Sequence, residues 1–102
     1  MTDEQINIAI AEACGWTEID GLSAMGFMGK PPHKLCSFDY LPDYCNELNA
    51  MFEAEKSLTR EQIEVYCQHL KPENYGDWWG IHTTARQRSK AFLRALGKWE
   101  AA

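Results

Sequence analysis

The chain has 102 residues, with 45% apolar and 25% charged side chains, a composition that is typical of one folded domain and not of a disordered chain. Its formal net charge of −5 argues against nucleic-acid or membrane binding by the surface as a whole. We therefore expect a single domain over residues 1–102.

The sequence predicts a first helix over residues 3–14. Thr2 and Gln5 have the spacing of a capping box, in which each side chain satisfies a backbone N–H at the start of the helix. Gly15 can take the left-handed conformation that ends a helix. We expect Trp16 to pack back over that end.

Residues 17–41 contain glycines and prolines that mark turns and exclude a helix. Two short apolar stretches remain among them, at residues 22–28 and 34–40. Their length and the turn residues around them favour two strands of a small antiparallel sheet.

A second helix is predicted over residues 42–56, because proline is favoured in the first turn of a helix and Pro42 would take that position. A third helix begins with a capping box of Thr59 and Gln62 and runs to about residue 70. The apolar stripes of these two helices are Tyr44, Leu48, Met51 and Phe52 in the second and Ile63, Tyr66, Cys67 and Leu70 in the third.

The C-terminal third predicts a short aromatic strand over residues 78–82 and a last helix over residues 85–96. Thr84 and Gln87 form a third capping box, and Gly97 ends the helix. The predicted fold is therefore of the α+β class, with about four helices packed on a small antiparallel sheet.

The last helix has one basic face and one apolar face. At about 100° per residue, its cations share a stripe and its large apolar residues lie nearly opposite: Arg86, Lys90, Arg94 and Lys98 against Phe92, Leu96 and Trp99. Such a stripe can bind the phosphates of a nucleic acid, or it can be a solvated face whose cations suit a helix C-terminus. The acidic remainder of the chain favours the solvated face, and we expect no nucleic-acid partner.

Arg88 differs from these cations, because the helical wheel puts it at the edge of the apolar face, where an unpaired charge is costly. Glu55 lies on the apolar side of the second helix. Two opposite charges on faces that should be buried predict an ion pair between the two helices, Glu55 with Arg88. Its role would be structural and not catalytic.

The cysteines and histidines do not have the spacing of a metal site. Structural zinc sites have closely spaced pairs of ligands at both ends. Here the only closely spaced pairs are His33 with Cys36 and Cys67 with His69, and neither has the full spacing of such a site. The available ligands are His33, Cys36, Cys45, Cys67, His69 and His82. We expect no metal and no cofactor. The absence of a CxxC pair favours reduced thiols in a cytoplasmic protein, and no apolar run reaches the roughly 18 residues of a membrane span.

Nucleophilic catalysis is not predicted either. Cys45 would lie in the first turn of the second helix, where the helix dipole lowers a thiol pKa. Asp43 and Glu47 flank it, however, and negative neighbours raise a thiol pKa. We therefore expect no enzymatic activity.

The aromatic cluster of Trp78 and Trp79 beside His82 is the main candidate for recognition. Tryptophan is enriched at binding hot spots because it buries a large rigid surface and keeps one donor. On a strand, one of the two tryptophans would face outward and contact a partner or another copy of the chain. The alternative is that helices of the same domain cover both. Arg86 completes the set of binding candidates.

Seven blocks of the sequence resemble a family of small phage and prophage proteins, the phage ABA sandwich domain family. They comprise 29 of the 102 residues, spread from residue 11 to residue 99: AEACGW at residues 11–16, PDY at 42–44, LNAM at 48–51, EAEK at 53–56, TARQR at 84–88, AFL at 91–93 and LGKW at 96–99. The resemblance implies a three-layer α/β/α domain, a phage genome and the bacterial cytoplasm, and it implies no activity.

The sequence thus favours a phage-encoded accessory protein that acts by binding a host protein, in counter-defence or host takeover, with a homo-oligomer as a further assembly to consider. The alternative is a small-molecule or nucleotide sponge with its site between subunits. That site would use Arg86 and Arg88 together with Trp78 or Trp79.

Overall fold

The computed structural model describes residues 1–23, 26–32, 37–70 and 83–100. Four helices pack with a small three-stranded antiparallel sheet, which confirms the α+β class. The sheet order follows the sequence, β1-β2-β3. The helices are α1 (Asp3–Ala13), α2 (Leu48–Glu55), α3 (Arg60–Leu70) and α4 (Ala85–Ala95), and the strands are β1 (Thr17–Ser23), β2 (Gly26–Lys30) and β3 (Asp39–Tyr40).

The predicted capping boxes are present at the starts of α1, α3 and α4. In α1, the Gln5 backbone N–H donates to Thr2 Oγ1 at 3.2 Å, and the Thr2 N–H donates to Gln5 Oε1 at 2.9 Å. The same pair of bonds joins Thr59 with Gln62 and Thr84 with Gln87. Because these bonds satisfy N–H groups that a helix leaves open, they fix where each helix begins.

The sheet begins earlier in the chain than predicted. The predicted strand over residues 22–28 is wrong, because β1 already starts at Thr17 and β2 starts at Gly26. Of the second predicted strand, residues 39 and 40 form β3 and residues 34–36 lie outside the described part. Gly21, read as a turn residue, lies inside β1, where a side-chain carbon would come within 2.6 Å of the Phe27 ring. The glycine makes room for a ring on the neighbouring strand.

The second helix begins later than predicted, at Leu48 instead of Pro42. Asn7 of α1 holds the intervening residues as a turn: its Oδ1 accepts the Cys45 N–H at 3.2 Å, and its Nδ2 donates to Asp43 Oδ1 at 3.3 Å. These contacts also change the predicted apolar stripe. Met51 is buried, whereas Leu48 and Phe52 are 41% and 45% exposed.

Helix α4 is the central element of the described fold. It packs against α1, α2 and α3, and its Phe92 and Leu93 are fully buried. A three-layer α/β/α domain would put the sheet in that central position. The rest of the core comes mainly from the other helices: Ile6, Ile10, Ala11, Met51, Ala54, Tyr66 and Leu70. Within the described residues, no helix is long and apolar enough to cross a membrane.

Candidate binding site

An apolar groove lies between the C-terminal end of α1 and one side of α2. Its volume is about 440 Å³. Two aromatic rings and two prolines form much of the lining, and a charged pair stands at the rim. The residues that line it are Cys14, Trp16, Pro32, Pro42, Tyr44, Ala50, Glu53, Ala54, Lys56 and Ser57.

The end of α1 positions Trp16 and Cys14 in the groove. Gly15 has a left-handed backbone, with φ of +99°. Its N–H donates to the Glu12 carbonyl at 3.1 Å, and the Trp16 N–H reaches back to the Ala11 carbonyl at 3.0 Å. This pair of bonds is a Schellman motif, which turns the chain sharply at a helix end. As a result, the Trp16 side chain packs against the core, as the sequence predicts.

Pro32 closes the groove beside this turn. A side-chain carbon at Gly15 would lie only 3.2 Å from Pro32 Cβ, so the proline lies directly against the glycine backbone. Any other residue at this position would have to push Pro32 away and would also be strained by the left-handed backbone. The glycine therefore fixes both the helix end and the wall of the groove.

Tyr44 is held in place from the opposite side by α4. The buried Ser89 hydroxyl donates a hydrogen bond to the Tyr44 carbonyl, with 2.7 Å between the two oxygens. Burial raises the pKa of the Tyr44 hydroxyl, and the neighbouring Cys14 thiol raises it further. The phenol therefore stays neutral and can act only as a hydrogen-bond donor and acceptor in the groove.

The Cys14 thiol is also kept protonated. Burial raises the pKa of Cys14 above its ordinary value of 9.0, and hydrogen bonds from Ser57 and Tyr44 only partly oppose this shift. Its sulfur lies 3.7 Å from Ser57 Oγ. Since the thiolate is the reactive form of cysteine, this thiol is a weak nucleophile and contributes to the lining mainly as a small apolar group.

The rim of the groove is electrically neutral. Glu53 and Lys56 form an exposed ion pair, with 3.0 Å between Oε1 and Nζ. The groove therefore presents apolar surface, a neutral hydroxyl and a neutral thiol. Such a surface suits an apolar or aromatic side chain better than an ion.

The structure brings together Glu55 and Arg88, the pair expected from the sequence. Arg88 Nη1 lies 2.9 Å from Glu55 Oε1, and the two side chains are only 12% and 26% exposed. The Tyr66 hydroxyl donates to the same Glu55 oxygen at 2.8 Å, and the Arg88 guanidinium stands 5.1 Å from the centre of the Phe52 ring. Burial and this bond to Glu55 raise the pKa of Tyr66. The cluster joins α2, α3 and α4.

Arg86 points to a different neighbour. Its two terminal nitrogens each lie 2.8 Å from a carboxylate oxygen of Asp3, in a bidentate pair at the surface. The guanidinium lowers the pKa of Asp3 below its ordinary value. Arg86 and Arg88 therefore belong to separate contacts, and the described structure does not bring them to one ligand site.

The helical wheel places Trp99 opposite the basic stripe, and this prediction is wrong. Lys90 Nζ is 5.3 Å and Arg94 Cζ is 6.0 Å from the centre of its ring. The helix ends at Ala95, and Gly97 turns the chain with a positive φ of +70°. Trp99 therefore lies beyond the helical part of the chain and folds onto the cations.

Three predicted binding residues, Trp78, Trp79 and His82, lie outside the described residues. The same holds for His33 and Cys36 among the metal-ligand candidates. Among the residues that the structure does describe, no three His, Cys, Asp or Glu side chains come close enough to hold a metal ion.

No protein-family model matches this chain, and comparisons with curated proteins and with solved structures give no significant match. Sequence reasoning did not find the groove, because its lining comes from four separate stretches of chain. The only local signal was Gly15 followed by Trp16, which predicts a ring folded over a helix end.

Proposed function

We propose that this protein is a binding module that acts without catalysis and holds an apolar segment of a protein partner in the groove. The lining of the groove is the observation that carries the proposal. Its volume of about 440 Å³ falls in the range of ligand-binding clefts, which are mostly apolar with a few fixed polar groups. Trp16 and Tyr44 supply the kind of rigid aromatic surface that dominates protein interfaces.

The state of the thiols supports a role in binding over a role in chemistry. Burial raises the pKa of Cys45 to about 11, and it also raises that of Cys14. A nucleophilic cysteine needs the opposite shift and a neighbouring base. Neither thiol has these properties.

The resemblance to the phage ABA sandwich domain family gives the proposal a biological context. On that basis the chain is a phage-encoded accessory protein of the bacterial cytoplasm. It binds a host protein, and this binding serves counter-defence or host takeover by the phage. A second copy of the chain is the other protein that the groove can take.

The test is to fill the groove without changing the fold. Ala50 lines the groove, and its neighbour Asn49 is exposed on the same helix. We expect wild type and Asn49→Lys to recover the same host protein by affinity purification with mass spectrometry, and Ala50→Lys to lose it. The two variants carry the same added charge, so a difference between them reports on the groove.

Two outcomes contradict the proposal. Recovery of the partner by Ala50→Lys at the wild-type level would place the binding surface elsewhere. If wild type captures no specific protein and is also a monomer by light scattering, binding to a protein is excluded as the function. A wild-type dimer that Ala50→Lys converts to a monomer identifies the occupant as a second copy.

A further inference from the structure

A second site lies between the end of α3 and the exposed face of α4. It is a depression of about 160 Å³. Its floor is apolar, and its walls carry side chains that donate hydrogen bonds. The lining residues are His69, Leu70, Gln87, Lys90, Ala91 and Arg94.

The cations at this depression have no carboxylate at ion-pair distance in the part of the chain that the structure describes. Elsewhere in the described residues Lys30, Lys56, Arg86 and Arg88 have one, whereas Arg60 and Lys98 have none. Lys90 and Arg94 are one helical turn apart on the same face, so their charges add.

Two contacts hold the donors of this depression in place. Lys90 and Arg94 lie over the Trp99 ring, which keeps both cations at the site without neutralising them. Gln87 is fixed by the capping box, in which its Oε1 accepts the Thr84 N–H at 2.8 Å. Since an amide oxygen and nitrogen point apart, the Gln87 Nε2 remains a donor. Pre-positioned donors lose less entropy when a ligand binds.

We propose that this depression, defined by His69, Gln87, Lys90 and Arg94, binds a small phosphate-bearing anion. A guanidinium, an ammonium, an amide and an imidazole together offer the several donors that phosphate oxygens require. The site is separate from the groove, and neither proposal depends on the other. Inorganic phosphate and a nucleoside diphosphate share the chemistry that this site recognises.

The experiment is a titration of the isotope-labelled wild-type protein with inorganic phosphate and, separately, with ADP in low-salt buffer, followed by two-dimensional NMR. We expect saturable shifts at His69, Gln87, Lys90 and Arg94 at millimolar ligand or below. Tighter binding of ADP assigns the site to nucleotides, and equal binding assigns it to phosphate alone. Because the shifts are mapped on wild type, the site is located even if a variant fails to fold.

The matched variants separate a site from general electrostatic attraction. Lys90→Gln/Arg94→Gln and Lys30→Gln/Arg60→Gln change the net charge equally, and the second pair lies outside both proposed sites. The first should weaken binding by at least tenfold, as expected for the loss of charge-assisted hydrogen bonds, and the second by less than about twofold. Equal weakening in both variants, or no saturable shift with either ligand, would overturn the proposal. In that case the two cations only complement the carbonyl groups at the end of α3.

Discussion

Helix α4 carries two arginine–carboxylate contacts, two residues apart, that have nearly the same nitrogen–oxygen distance and different surroundings. Arg88 bonds Glu55 at 2.9 Å in a half-buried cluster that joins three helices, whereas Arg86 bonds Asp3 at 2.8 Å in open solvent. If Arg88 is removed, the half-buried Glu55 carboxylate cannot be hydrated fully. If Arg86 is removed, water can hydrate the exposed Asp3 carboxylate. The arginine–carboxylate contact of Arg88 therefore stabilises the fold, whereas that of Arg86 is a minor surface contact.

The largest expected effect is that of Arg88→Met. This change leaves the Glu55 carboxylate half-buried with only the Tyr66 hydroxyl as a described partner. Removing one member of a buried pair costs about 3 kcal/mol of unfolding free energy, or a fall of roughly 10–20 °C in melting temperature for a domain of this size. Thermal unfolding followed by circular dichroism measures it. A melting temperature equal to that of wild type would show that the cluster does not hold the helices together.

A smaller effect is expected from Ser89→Ala, on the same buried side of α4. The hydroxyl oxygen lies 2.7 Å from the Tyr44 carbonyl oxygen and 2.8 Å from the Ala85 carbonyl oxygen, so the two carbonyls share its single proton. Its loss leaves the Tyr44 carbonyl without this partner, while alanine improves the helix slightly, so the net cost is about 1 kcal/mol. Urea unfolding measures this difference, and an unchanged midpoint would contradict it. The change should also loosen the groove, because it releases Tyr44.

The smallest effect is expected from Arg86→Met, which is the matched control for Arg88→Met. Its melting temperature should fall by less than about 2 °C, and the difference should shrink further as salt is added. A fall as large as that of Arg88→Met would remove the distinction between the two faces.

The contribution of Arg86 should also depend on pH in one direction. The folded-state pKa of Asp3 is held below its ordinary value of 3.8, first by the hydrogen bonds from Arg86. A depressed carboxyl pKa adds stability above the unfolded-state value and loses it as the pH falls through the folded-state value. The difference between wild type and Arg86→Met should therefore be constant above about pH 5, shrink as the pH falls past 3.8 and vanish only below the lowered folded-state pKa of Asp3. A difference that grows in acid would contradict the pairing.

Sequence reasoning succeeded where the controlling interactions are local or periodic. Each capping box involves residues three apart, so the starts of three helices were predictable from Thr2, Thr59 and Thr84. The helical wheel was sufficient to pair Glu55 with Arg88, because each charge falls on a face that must be buried.

The predictions failed where distant residues decide the local structure. The late start of α2 depends on Asn7 of another helix, and the inclusion of Gly21 in β1 depends on the Phe27 ring of the next strand. Neither contact leaves a periodic pattern in the sequence. The groove was not predictable for the same reason, since it needs Pro32 beside Gly15 and Tyr44 beside Cys14.

Protection of Cys14 tests the central claim, that the groove holds a partner, most directly. Its thiol lines the groove, whereas the half-buried Cys67 of α3 is not among the lining residues and serves as an internal reference. Alkylation at alkaline pH, where the thiol ionises, is read for each cysteine by peptide mass spectrometry in the free protein and in the captured complex. We expect the complex to protect Cys14 at least tenfold relative to Cys67. Equal labelling of Cys14 in both states would contradict the account.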